Sequence, residues 1–346
     1  MPEPTDPDLA ARNALRLIGP DPQNWVPDRP GIDHNVVIVG GGQSGCAFAF
    51  ALRRAGIGRV EVIDMAENEE RAGVWLNAAR MNVLRTPKTL PGPEYGIAAL
   101  SFQAWYEARH GAAAYAAIER IPRGDWAEYL GWYRRFLSIV VRYRTRLLRI
   151  EPAEGHFRLH LEADGAAKVE TARKVILANG VAGNGGPYLP PALTDGLPAH
   201  LYAHTADMID FAGLRGRRVA VVGGAASAFD AAGVALEAGA ASVDLFARRP
   251  ALASLPVGRV RGYPGAYDNF PELPDAVRWH QAIRFRRAGS TPPADAIERA
   301  LKFPNFRLHL AAPWLSAREE AGRIVAQAAD GEFAFEFAIA GTGYFV

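Results

Sequence analysis

The chain has 346 residues, and its 39 Lys and Arg against 37 Asp and Glu leave a net charge of +2. At roughly one domain per ~150 residues this length predicts two domains, and so even a charge balance argues against nucleic acid or a membrane surface as partner. The single cysteine, Cys46, excludes an internal disulfide, a two-cysteine redox centre and a zinc site built on several cysteines. No apolar run approaches the ~18 residues of a membrane span, and the N-terminus has acids and prolines where a signal peptide is basic and then apolar, so a cytoplasmic protein is expected.

Residues 1–31 are rich in Pro and Asp, with one short helical stretch around Leu9–Ile18, and read as an arm on the body of the protein. From Asn35 the pattern becomes a β-branched run, a glycine turn, a helix and a second run at Val60–Ile63. A strand that is apolar throughout belongs to a parallel sheet covered on both faces. Residues 97–139 have helical character, and the stripe of Tyr129, Leu130, Tyr133, Phe136 and Leu137 reads as core. Residues 140–178 form short segments divided by turns such as Ala163-Asp164-Gly165, the pattern of an antiparallel meander. After a Gly- and Pro-rich crossing at 183–198 the strand, glycine turn and helix recur at Arg218–Ala238, with a strand at Ser242–Ala247. A second meander, Phe306–Ala340, leads to Gly341-Thr342-Gly343-Tyr344.

Gly40-Gly41-Gly42-Gln43-Ser44-Gly45 is a G-x-G-x-x-G between strand and helix. Gly40 permits the turn, Gly42 lets a pyrophosphate approach the backbone, and Gly45 lets helix and strand pack closely. The phosphates then meet the N–H groups at the helix N-terminus, Gln43 and Ser44 included. Asp64, 24 residues after Gly40, ends the second strand, where an acid accepts from both ribose hydroxyls. In the second copy, Gly223-Gly224-Ala225-Ala226-Ser227-Ala228, alanine stands at the middle glycine position, and its methyl is expected to displace or weaken a bound nucleotide. The position matching the ribose-binding acid is Ala247, followed by Arg248 and Arg249, which suit a 2′-phosphate. An exposed arginine pair at a strand end is the plainer alternative. Cys46 reads as a small buried helix residue, and residues 257–280 as a loop that either walls a substrate or covers ordinary surface.

Two dinucleotide-binding units, each with a meander, resemble the FAD- and NADPH-dependent flavin-containing and Baeyer–Villiger monooxygenases. The resemblance runs from Val36 to Tyr344. Ala72-Gly73-Val74-Trp75 resembles the family's G-G-x-W, and Leu84-Arg85-Thr86-Pro87-Lys88 its flavin-contacting T-N-T-P-K. Thr145-Arg146-Leu147 resembles the T-x-V element whose backbone meets the adenine, and Ala178-Asn179-Gly180 the A-T-G strand end. The resemblance thus implies cofactor contacts at Gly73, Trp75, Thr86, Lys88, Leu147, Asn179, Gly180, Gly223 and Ser227. Arg85 replaces an asparagine beside the reactive flavin face, where a guanidinium would stabilise negative charge or form a structural salt bridge. His204 matches the family's linker histidine, with a plain structural role as the alternative.

The expected architecture is an α/β FAD-binding domain at residues 32–200 plus 329–346, with a smaller inserted NAD(P)-binding domain at 205–328, each carrying an antiparallel meander. The implied reaction transfers hydride from NADPH to FAD and then activates oxygen toward a small molecule, with FAD and NADPH as cofactors and no metal. The alternatives are an NAD(P)H:flavin reductase without oxygen transfer and a non-catalytic flavin-binding module. Because the family continues past this point, a chain ending at Val346 is expected to bind FAD yet release hydrogen peroxide, the competing expectation being that the loop at 257–280 or a partner subunit closes the site. An oligomer is left open.

Overall fold

The computed structural model describes residues 5–183, 185–254, 265 and 268–345. It divides into two compact units, Met1–Asn184 and Gly185–Val346.

In the first unit, α1 (Pro7–Leu17) is the arm's helix, its N-terminus capped by Asp6 and anchored at the buried Ala11. Strand β1 (His34–Val39), helix α2 (Gln43–Arg54) and strand β2 (Val60–Ile63) form the anticipated unit, with β1 and β2 parallel. Helices α3 (Phe102–His110), α4 (Ala112–Ala117) and α5 (Arg123–Phe136) follow. They bury an aromatic core of Phe102, Trp105, Tyr115, Trp126, Tyr129 and Tyr133. The meander is β3 (Thr145–Ala153), β4 (His156–Ala163) and β5 (Ala166–Leu177). Asp164 and Gly165, both at positive φ, make the tight turn between β4 and β5. The meander is continuous with the parallel strands, in the order β2-β1-β5-β4-β3. Strand β5 ends beside β1, and a short helix, α6 (Gly180–Gly183), follows it.

The second unit opens with α7 (Pro191–Thr194) and β6 (Tyr202–His204). Its repeat is β7 (Arg218–Val222), α8 (Ala226–Glu237) and β8 (Ser242–Phe246). Helices α9 (Asp275–Ala288) and α10 (Ala294–Leu301) lead to β9 (Phe306–His309). The chain continues through β10 (Trp314–Glu320), β11 (Arg323–Ala328), β12 (Gly331–Phe335) and β13 (Phe337–Ala340). A parallel sheet runs β6-β13-β7-β8-β9, and β10-β11-β12 is a separate antiparallel sheet.

Three boundaries differ from the sequence reading. Residues 185–200 belong to the second unit, because Leu193, Leu197 and Leu201 are buried with Trp314, Ala317 and Ile324. Residues 329–345 do not return to the first sheet: β13 pairs in parallel with β7 and β6. Phe306–His309 joins the parallel sheet rather than the meander. His309 explains that choice, since its ring stacks on Phe246 and its two nitrogens lie 2.9 Å from carboxylate oxygens of Asp244 and Asp330.

Candidate functional site: two glycine cradles

Each unit backs its glycine turn against the end of a neighbouring strand. In the first, Gly40 has φ +108°, and a Cβ there would lie 2.4 Å from the Ala178 carbonyl oxygen. In the second, Gly223 has φ +141°, and a Cβ would lie 2.3 Å from the Gly341 carbonyl oxygen. The two motif-bearing strand ends, Ala178-Asn179-Gly180 and Gly341-Thr342-Gly343, therefore press on the same point of the two turns. Gly45 is equally fixed, since its Cβ would come 1.8 Å from the Gly40 carbonyl oxygen.

Gly42 is different. A Cβ built there meets only the Gly73 Cα, at 3.9 Å, so the Gly42–Gly73 space is kept clear by two glycines without any need of packing. Gly42 also begins α2 with no side-chain cap and no acid in the first turn. A helix N-terminus left in this state, above a backbone-lined hollow, fits a pyrophosphate. Gln43 is held at this end by the Trp126 indole N–H, which donates to its Oε1 at 3.2 Å, and Ser44 is exposed beside it.

Asp64 stands at the end of β2, where its Oδ2 accepts from the Gly41 N–H at 2.7 Å and its Oδ1 from the Ala66 N–H at 2.8 Å. Each oxygen keeps a second lone pair for a ribose hydroxyl. The sequence reading missed two parts of this corner. Gly41 is one, because a Cβ there would come 2.6 Å from a Val141 methyl, which would have to shift. The stretch Arg142–Thr145 closes around Asp64: the Asp64 N–H donates to the Arg142 carbonyl, and the Thr145 N–H to the Asp64 carbonyl. Both contacts are made by backbone atoms, so residue type along this stretch gave no signal for them.

Cys46 lies beneath the turn with Sγ 3.3 Å from the Gly41 carbonyl oxygen, and burial pushes its thiol up to about 11. We expect Cys46 to resist thiol reagents in the folded protein and to react on denaturation. Rapid labelling of native protein would show instead that the glycine turn opens.

The remaining candidates separate. Gly73, at φ +73°, and Trp75 lie on the stretch that begins against Gly42, and the Trp75 carbonyl accepts from Arg123. Arg85 is half-buried and Thr86 exposed. Lys88, expected at a cofactor, instead directs its ammonium to the carbonyls of Tyr115 and Ile118, at 2.8 and 2.7 Å, and toward that of Ala116 at 3.3 Å. It caps α4, an electrostatic fit between a cation and a helix C-terminus. Leu147 packs its side chain on the sheet core, leaving only its backbone for a ligand. Asn179 donates to the Gly183 carbonyl at 3.3 Å.

In the second unit, Ala225 begins α8 with no side-chain cap, and Ser227 is exposed in the first turn. Arg248 is exposed after β8, whereas Arg249 is engaged, donating to the Arg287 carbonyl at the end of α9 at 2.8 Å. The pair expected to share a phosphate is therefore divided. His204, expected to be catalytic, is 0% exposed. Its Nδ1 accepts from the Ala206 N–H at 3.0 Å and its ring lies edge-on to Tyr344, at the end of β6. Part of the 257–280 loop lies outside the described residues, and from Asp275 onward it is helix α9.

The family model for pyridine nucleotide-disulphide oxidoreductases matches residues 37–256, spanning both glycine turns. The chain belongs to this oxidoreductase family. Within it, the single buried cysteine of these 346 residues provides no dithiol pair. The oxidoreductase is 43% identical over 340 residues to an FAD-dependent urate hydroxylase from Xanthomonas campestris pv. campestris, covering 96% of this chain and 71% of the relative. Among solved structures it is similar to the ornithine hydroxylase of Pseudomonas aeruginosa, with a TM-score of 0.75 and 20% identity, over 90% of this chain and 83% of that one. A flavin monooxygenase from Stenotrophomonas maltophilia aligns with a TM-score of 0.58 and 21% identity, over 91% and 80% of the two chains. These structures share the fold. No helix among the described residues is long and apolar enough to cross a membrane, and none of their His, Cys, Asp and Glu side chains group as a metal site.

Proposed function

We propose that this chain is an FAD-dependent monooxygenase that hydroxylates urate, using NADPH as reductant. The observation that carries the reading is the 43% identity, extending over 96% of the chain, to an FAD-dependent urate hydroxylase. The first cradle supports it by chemistry: a hollow between Gly42 and Gly73, an uncapped α2 N-terminus and an acid at the end of β2 suit the pyrophosphate and ribose of FAD. The flavin supplies hydride acceptance and oxygen activation, and the protein supplies binding and orientation. In balance, urate, O2, NADPH and a proton give hydroxylated urate, NADP+ and water.

The second cradle takes the nicotinamide nucleotide, with Arg248 on the 2′-phosphate and Ala225 limiting how closely the pyrophosphate approaches. Arg248→Ala is expected to cut the preference for NADPH over NADH by about tenfold, the equivalent of ~1.4 kcal/mol. Arg249→Ala, whose guanidinium holds α9, is expected to lower stability more than it alters that preference. Equal flavin reduction by the two nucleotides in the unaltered protein would remove Arg248 from this role.

The deciding experiment supplies FAD, NADPH, urate and isotopically labelled oxygen to the purified protein. One labelled atom in the urate product is the expected result. NADPH oxidation that leaves urate untouched and returns all oxygen as hydrogen peroxide would overturn the monooxygenase reading in favour of a reductase.

A further inference from the structure

Four of the seven tryptophans lie in the first unit's aromatic core or at its edge, and three of them, with Tyr129, form a graded series. It begins with Trp75, two residues beyond the Gly73 that faces Gly42. Trp75 meets Trp126 edge-on at 6.4 Å between ring centroids, Trp126 meets Tyr129 at 5.1 Å, and Tyr129 meets Trp132 at 5.9 Å. The environment changes along the series. The Trp126 indole N–H donates to an amide oxygen, that of Gln43, which is a poor proton acceptor. The Tyr129 hydroxyl donates to the Leu100 carbonyl, equally unable to take a proton, and burial holds this phenol well above its usual range. The Trp132 indole N–H donates to a carboxylate, Asp8 Oδ1, at 2.8 Å; Asp8 is partly open to solvent, and its other oxygen pairs at 3.3 Å with the exposed Arg12.

The side branches carry the opposite charge. The Arg109 guanidinium lies 4.9 Å from the Trp105 ring centroid and the Lys88 ammonium 4.5 Å from that of Tyr115. A cation over a ring opposes removal of an electron from it, whereas a carboxylate at an indole N–H favours it. We infer that Trp75, Trp126, Tyr129 and Trp132 form a path along which an electron vacancy leaves the cofactor cradle and ends at Trp132, discharging its proton to Asp8. The inference rests on the FAD assignment above. The oxidant is the flavin itself when raised to a one-electron oxidising state, as by light, or a radical oxidant released when oxygen activation misfires. One electron leaves Trp75 for that oxidant and is replaced in turn from Trp126 and, through Tyr129, from Trp132. Trp132 ends as the neutral indolyl radical, and its N–H proton ends on Asp8. Such a path draws oxidising equivalents away from the cradle, which would otherwise be damaged in place.

Flash photolysis of the FAD-loaded protein tests the path, with FAD occupancy measured first by titration. The expected result is a neutral tryptophan radical in the unaltered protein. It should be lost or replaced by a shorter-lived radical in Trp132→Phe, and should persist as the protonated cation in Asp8→Asn. Trp105→Phe serves as a core control of similar disruption and should leave the neutral radical in place. Identical transients in unaltered protein, Trp132→Phe and Asp8→Asn, all with FAD bound, would overturn the path, as would loss of the signal in Trp105→Phe alone. Failure to bind FAD would appear in the titration and would count against the cofactor assignment instead.

Discussion

Gly42→Ala is expected to leave the protein without cofactor folded and to weaken FAD binding by about 100-fold, the equivalent of ~3 kcal/mol. The added methyl touches nothing closer than the Gly73 Cα at 3.9 Å, and the Gly42 φ of −73° is open to alanine, so the turn itself tolerates the change. The methyl does fill the hollow over the α2 N-terminus. A pyrophosphate held off the helix N–H groups loses charge-assisted hydrogen bonds worth about 1.5–3 kcal/mol each. Gly45→Ala is the contrasting case. Its methyl would sit 1.8 Å from the Gly40 carbonyl oxygen, so α2 must move away from β1 whether or not FAD is present. FAD titration and thermal unfolding of both variants without cofactor check the pair. If Gly42→Ala binds FAD as tightly as the unaltered chain, the pyrophosphate lies elsewhere.

The second large effect is expected at Glu170, a buried carboxylate on β5. It accepts from both Arg142 Nη atoms at 2.8 Å, and it pairs with Lys168 at 2.7 Å and His34 at 3.0 Å. Burial alone would raise its pKa, but the hydrogen bonds from Arg142, Lys168 and His34, with the Arg142 charge, hold it down at about 2. A carboxylate depressed from its ordinary 4.5 stabilises the fold at every pH above that value. That contribution, on the order of 3 kcal/mol, falls away as pH drops from about 4.5 through about 2. Glu170→Gln should therefore cost about 3 kcal/mol near neutral pH and almost nothing in strong acid, where the native carboxyl is already protonated. Arg142 also presents its carbonyl to the Asp64 N–H, so the same substitution should loosen the ribose corner and weaken FAD binding. Urea unfolding at neutral and acid pH, with FAD titration, measures both. A stability difference that does not shrink in acid would show that the Arg142 cluster is not the source.

The repeated strand, glycine turn and helix was readable from the chain because each step is local. A β-branched run, glycines at fixed spacing and an acid 24 residues on are set by backbone conformation and one short loop. The roles of Lys88, Arg249 and His204 were not readable in the same way. A lysine after Thr86 and Pro87 looks the same whether it meets a cofactor or a helix end, and the end it caps belongs to residues 112–117, folded back upon it. Arg249 differs from Arg248 only because the C-terminus of α9 arrives beside it.

The sequence by itself determined that there are two dinucleotide-type units, where their turns lie, and which glycines and acid define the first cradle, because those features depend on neighbours close along the chain. Only the tertiary structure decided where one unit ends and the next begins. Leu193, Leu197 and Leu201 follow the burial offered by β10 and β11, and β13 follows the open edge of β7, choices made by partners more than a hundred residues away. It also decided which cations stay in solvent and which are spent on carbonyls, since a long charged side chain goes to whichever acceptor the fold brings within reach.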